Sequence, residues 1–269
     1  MAESGFTTRA TLVLRLVSMR ASILASITVV WLALALPPST LAIGEATAFE
    51  FRGLALRGLG AEPRPTARKR ISWAIRTRTS VETNLDPGRV SLTDRALFDQ
   101  PFLYLAGEGG FPPPSEAEIE ALSRFLRFGG FLLVDATRPD DAAFDASVRA
   151  MLARALPSER IAPIDPGHVL YRSFYLVDRP VGRVEGPPHL EGIDLRGRLA
   201  VVLSRHDLGG AWARDNLGTY EHSVTPGGER QREMAHRLGV NVVAYVLCLD
   251  YKDDQVHAPF IMRRRGGGR

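Results

Sequence analysis

Two short apolar runs, PFLYLAG (Pro101–Gly107) and FLLVDA (Phe131–Ala136), enclose a segment whose apolar residues recur at helical spacing. This juxtaposition constrains the fold more than any other feature of the chain. Runs this short and this apolar, each punctuated by glycine, predict strands buried on both faces. Between them, Ser115 and Glu118 form a capping-box pattern ahead of Ile119, Leu122, Phe125 and Leu126, and Gly129 closes the helix. A second helical stripe follows in Phe144, Val148, Met151, Leu152 and Ala155, ending at Pro157. Strand, helix, strand, helix in that order requires a crossover connection, and so a parallel sheet.

The remaining segments fit the same plan. FEFRGLAL (Phe49–Leu56) predicts a first strand, and TARKRISWAIRTRTS (Thr66–Ser80) a helix capped by Thr66. RIAPI, HVLYRSFYLV (His168–Val177) and GRLAVVLSRHD (Gly197–Asp207) predict later strands. A last helix from Glu229 to Leu249 would bury Met234, Leu238, Val242, Val246 and Leu249, and residues 251–269 form a tail expected to be disordered. The predicted class is α/β: three layers, with a mostly parallel, flavodoxin-like sheet and helices on both faces, in a single domain over residues 49–250.

The ordered motifs PFLYLAGEGGFPPPSEAEIEALSRFLRFGGFLLVDA, FDASVRAMLARALP, HVLYRSFY, EGIDLRGRLAVVLSRHDLGGAW and LGVNVVAYVL resemble those of the bacterial domain of unknown function 4159. The resemblance covers roughly Phe49 to Leu249. It implies a fold similar to class I glutamine amidotransferase-like domains, and partners among envelope proteins with von Willebrand A-type domains. It implies no reaction. An amidotransferase needs a cysteine on a tight turn after a buried strand, served by a histidine. The single cysteine, Cys248, instead falls in the final helix, where a buried packing role is expected, and the strand end carries Asp135.

The first fifty residues point to export. No residue from Ala21 to Gly44 is charged, Arg9, Arg15 and Arg20 precede that run, and Ala46–Ala48 reads ATA, a signal-peptidase pattern. Residues 1–48 are therefore expected to be a signal peptide, with Met19 as a start that would give an ordinary length, or an uncleaved membrane anchor. Localisation is expected to be periplasmic or at the inner membrane, with membrane contact only through that segment. The formal charge of +4 does not indicate nucleic acid. Only two of the 34 basic residues, Lys69 and Lys252, are lysines, which reads as coding bias. The densest basic stretch, Arg64 to Arg78, is expected to be a solvated helix face.

Loops beyond the carboxyl ends of parallel strands hold ligands in open α/β sheets, and this rule selects the candidate residues. Asp135 ends the second buried strand and Glu108 follows the first, so the two could share a cleft. Alternatively, Asp135 accepts amides of its own next turn, TRPDD. GHVLYRSFY contributes His168, Arg172 and Tyr175, where a histidine can titrate and an arginine can draw an anion. SRHDLGGAW contributes His206, Asp207 and Trp212 in a glycine-bearing loop, the tryptophan suited to stacking on a sugar. Six histidines without H-x-x-x-H or H-E-x-x-H spacing give no metal site, and no glycine-rich phosphate loop gives a cofactor site. Catalytic residues are not identifiable. The leading expectation is a non-catalytic ligand- or partner-binding module of the cell envelope, and the alternative is a hydrolase of sugars or peptides using Asp135, Glu108 and a histidine.

Overall fold

Seven strands form one sheet in the order β2-β1-β3-β4-β7-β6-β5. The computed structural model describes residues 48–266, with side chains through Cys248. The N-terminal segment expected to direct export or anchoring lies outside the described residues, which belong to one unit, Thr47–Arg269. The strands are β1 (Arg52–Ala55), β2 (Arg89–Ser91), β3 (Phe102–Gly107), β4 (Phe131–Ala136), β5 (Ala162–Pro163), β6 (Glu191–Leu195) and β7 (Arg198–Ser204). The helices are α1 (Ala67–Arg78), α2 (Glu116–Arg127), α3 (Ala142–Ala155), the five-residue α4 (Leu208–Trp212) and α5 (Gly228–Gly266). Pairings among β2, β1, β3, β4 and β7 are parallel, and β6 and β5 add an antiparallel edge.

The pleat assigns side chains to the two outer layers. Every residue of β3 and of β4 is buried. Phe102, Tyr104, Phe131 and Leu133 face the layer of α1, α4 and α5, while Leu103, Leu105, Leu132 and Val134 face α2 and α3. Burying a leucine or phenylalanine in this way contributes roughly 1.5–3 kcal/mol per side chain. This is the expected three-layer α/β architecture. In α2 the capping box forms as read: the Ser115 hydroxyl accepts from Glu118 N while Glu118 accepts from Ser115 N. Gly129 leaves the helix at φ 110°, and Gly130 enters β4 so close to Phe125 that a Cβ there would lie 2.4 Å from its ring.

Several segments differ from expectation. Residues 168–177 are not a strand: His168 caps a 3-10 turn, Val169–Arg172, by accepting from Leu170 N. Asn241 Oδ1 then accepts from the amides of Phe174 and Tyr175, so side chains take amides that a ladder would otherwise hold. Thr66 stands at the start of α1 without capping it, because its hydroxyl donates to Glu221 instead. β1 is shorter than FEFRGLAL, with Phe49 making only an isolated bridge to Thr83. RIAPI supplies the exposed two-residue edge β5, where Pro163 lacks an amide to donate. Helix α5 is longer than its apolar pattern predicts and runs to Gly266, into the expected tail. Among the described residues, no helix is long and apolar enough to cross a membrane.

Candidate binding site at the strand ends

Asp135 is the last inward-facing residue of β4 on the α4 side, and it is buried. Its register partner is Ala106, so Tyr104, two residues earlier on β3, shares its face. The Tyr104 hydroxyl donates to Asp135 Oδ2 at 2.8 Å. Leu208 N donates to Oδ1 at 3.0 Å and Gly209 N to Oδ2 at 2.8 Å. Asp135 thus organises backbone, but the amides belong to α4, not to TRPDD. Burial, and then the charge of Asp207, raise the Asp135 carboxyl to about 7, against the three donors that favour its ionised form. Burial, followed by the charge of Asp135, holds the Tyr104 phenol well above its ordinary range.

Asp207 follows β7 in the left-handed conformation, φ 51° and ψ 60°, which aspartate tolerates better than most residues. Its own amide donates to Ala136 O, which ties the turn to β4. Its side chain caps α4 by accepting from Gly210 N. The same carboxylate receives Arg64 Nε at 3.1 Å and Nη2 at 2.9 Å, and Arg183 Nε also donates to it. Asp207 is fully buried, whereas the side chains of Arg64 and Arg183 are 15% and 23% exposed. One buried carboxylate therefore holds two cations at the surface. Arg64 Nη1 and both Nη atoms of Arg183 carry no hydrogen bond among the described residues. Arg64 comes from the loop after β1, at the β1/β3 boundary where the strand order reverses, the position at which open α/β sheets place ligands.

The double glycine of DLGGAW has a structural cause. A Cβ on Gly209 would lie 2.7 Å from the Tyr104 hydroxyl, and one on Gly210 would lie 2.3 Å from Asp207 Oδ2. The two acids and the short helix close on each other only without those atoms.

The other predicted site residues lie apart from this network. Glu108 is exposed, and its Oε1 accepts from the Thr137 hydroxyl. His206 is buried and turned toward Pro187, with Nε2 2.9 Å from that carbonyl and Nδ1 3.4 Å from Ser204 Oγ. Burial lowers its pKa to about 4, so the ring is neutral at physiological pH. Trp212 is fully buried against Phe51 and Tyr104, with Nε1 donating to Ala235 O, and offers no face to a sugar. His168 packs on Tyr245, its pKa lowered by burial. Arg172 is exposed and Tyr175 is half-buried beside Arg237. Neither residue joins the Asp135–Asp207 pair.

Sequence reading missed Arg64, Arg183 and Tyr104. The basic stretch is not a solvated face throughout. Arg64 is committed to Asp207, and Arg68 is buried, donating to Glu62 and to the carbonyls of Pro87 and Gly88. Cys248 is exposed, not packed. Among the described residues, no group of three or more histidine, cysteine or acidic side chains is placed to hold a metal ion.

A family model for the domain of unknown function DUF4159 matches residues 58–247. The chain belongs to the DUF4159 family. The matched span begins in the loop that carries Arg64 and ends within α5, so every member of the strand-end network lies inside the DUF4159 domain. No curated protein matches the chain.

Proposed function

We propose that this DUF4159 domain is a non-catalytic binding module of the bacterial cell envelope, one that takes an anionic group of a ligand or partner at the carboxyl ends of its parallel strands. The observation that carries this reading is the division of labour around Asp207. Both strand-end acids are occupied by the protein's own donors, whereas two partly exposed guanidiniums retain free N–H groups. Arginine held in a fixed orientation suits carboxylate or phosphate recognition. Envelope proteins with von Willebrand A-type domains are the partner class that the family resemblance suggests. Export or anchoring is supported by the uncharged run Ala21–Gly44 behind three arginines. A hydrolase built on Asp135, Glu108 and a histidine finds little support, since His206 faces Pro187 and Glu108 faces Thr137.

Calorimetric titration with polyglutamate and with polyphosphate tests the binding reading. Saturable binding to either polymer is expected, weakened about tenfold or more in Arg183→Gln, the loss of one charge-assisted contact. Arg64 would still hold Asp207 in that variant and keep the melting temperature close to the parent's. Binding that ignores Arg183 would overturn the proposal. So would turnover of a sugar or peptide substrate that Asp135→Asn abolishes. N-terminal sequencing from the native host tests export: a chain beginning at or near Phe49 is expected after cleavage, and a cytoplasmic protein retaining residues 20–40 would refute the localisation.

A further inference from the structure

A concavity, independent of the strand-end reading, opens between α1 and α5. Its volume is about 180 Å³, and its lining comprises Arg70, Trp73, Ala74 and Arg78 of α1, Arg214 after α4, and His236 of α5. Since one water needs only about 10–15 Å³ of such space, there is ample room for a small anion.

Three cations line this space without an acid among the lining residues. Arg78 is paired with Glu233 through both terminal nitrogens at 2.8 Å. Among the described residues, Arg70 and Arg214 have no carboxylate partner. Arg70 donates to the carbonyls of Arg214 and Asp215, and Arg214 to the Gly218 carbonyl and the Tyr220 hydroxyl. Neutral acceptors fix these guanidiniums in place and leave their charge uncompensated. Arg214 is further held over the Tyr220 ring at 3.9 Å, with Arg232 also over that ring at 3.7 Å.

His236 provides a second, independent sign. It is 5% exposed yet lines the cavity, and the Arg232 carbonyl, 3.0 Å from Nδ1, is its one hydrogen-bond contact among the described residues. A carbonyl only accepts, so Nδ1 carries the hydrogen and Nε2 is left as an acceptor without a donor. Burial lowers the pKa to about 4, which keeps that lone pair available at neutral pH. Among the described residues only Ser72 Oγ is buried without a partner, so Nε2 is open to the cavity and a ligand entering there can donate to it. The cavity therefore pairs cationic donors with one acceptor, so a matching ligand is negatively charged and also carries an O–H.

We propose that the α1–α5 cavity is a binding site for a small protonated oxyanion, hydrogen phosphate, with Arg70 and Arg214 meeting its charge and His236 Nε2 accepting its proton. Sulfate has the same shape and no proton to donate at neutral pH, so the two anions separate the contribution of His236 from simple charge attraction.

The test uses the full chain. Trp73 is 54% exposed at the cavity and Trp212 is fully buried, and a Trp31→Phe background removes the third indole, so fluorescence reports the site and calorimetry gives the affinity. Saturable phosphate binding is expected, with sulfate weaker by about tenfold, the equivalent of one hydrogen bond. Arg70→Gln should lose most of the affinity for both anions with its melting temperature retained. His236→Phe should abolish the preference for phosphate while leaving sulfate binding in place, and His236→Gln, which keeps an acceptor, should restore part of it. Absence of saturable binding up to about 10 mM phosphate, or binding unchanged in Arg70→Gln, would overturn the site. Equal affinity for the two anions in the parent, or a preference that survives in His236→Phe, would overturn the role of His236.

Discussion

Asp135 and Asp207 divide three successive backbone amides between them: Leu208 and Gly209 donate to Asp135, and Gly210 donates to Asp207. Two parallel strands, β4 and β7, thereby hold the start of α4 from opposite sides, and Tyr104 on β3 adds a third support. A helix of five residues gains little from its own hydrogen bonds. Its placement comes from these acids, and through Asp207 it is coupled to the arginines proposed to meet a ligand.

Substitution at Asp135 should therefore act on stability. Asp135→Ala strands two buried amides and a buried hydroxyl, and the expected loss is about 2–3 kcal/mol or more. Asp135→Asn keeps one acceptor oxygen but presents an NH2 group to at least one donor, for an expected loss of about 1–2 kcal/mol. Tyr104→Phe removes one donor and should cost about 1 kcal/mol. Urea unfolding of the three variants checks the order. An Asp135→Ala variant that melts like the parent would refute the structural role.

The glycines of DLGGAW give a sharper contrast. Gly210→Ala places a Cβ 2.3 Å from Asp207 Oδ2 and should cost about 2 kcal/mol or more, since the carboxylate cannot retreat without releasing Arg64 and Arg183. Gly60→Ala meets nothing within 4 Å and has no positive φ, so it should be neutral or stabilising by up to about 1 kcal/mol. Thermal denaturation of both variants is sufficient. Equal melting temperatures would mean that the close approach at α4 is not a constraint.

What the sequence made legible follows from where each signal is local. The buried strands β3 and β4, the capping box at Ser115 and the stripe on α2 each depend on residues within a dozen positions, and each formed as predicted. The strand-end network is long-range. Arg64 reaches Asp207 across 143 positions, and Leu208 reaches Asp135 across 73. No periodicity encodes such pairs, although a tyrosine hydroxyl on the same face as Asp135 in a buried neighbouring strand did call for a partner. The segment His168–Val177 misled for the opposite reason. Its apolar and aromatic composition suits a strand, but Asn241 on α5 took the amides of Phe174 and Tyr175.

Cys248 is exposed on α5, so Cys248→Ser should leave both the unfolding midpoint and anion binding unchanged. The native thiol should react with a water-soluble maleimide without denaturant, at a rate near that of a small free thiol. Labelling that requires urea would mean that the thiol is covered in solution.

Two buried histidines and one buried acid set opposing pH dependences. Burial lowers His206 and His236 to about 4 from an ordinary 6.5, so between those values the unfolded chain binds more protons and stability rises with pH. Asp135, raised to about 7 from 3.8, has the reverse sign: the folded state binds more protons in that window, and its contribution is lost as pH climbs toward 7. Two histidines outweigh one aspartate until the titrations balance, so net stability should rise from about pH 4.5 to a plateau near pH 7, at no more than about 1.4 kcal/mol per unit. Above about pH 7 the opposing contributions nearly cancel, and stability should stay level. Asp135→Asn should steepen the acid-side rise, while His236→Gln should flatten it. Urea midpoints measured for the three proteins between pH 4.5 and 8 provide the check. An acid-side rise of unchanged slope in Asp135→Asn would show that this carboxyl is ionised throughout, with its three donors outweighing burial.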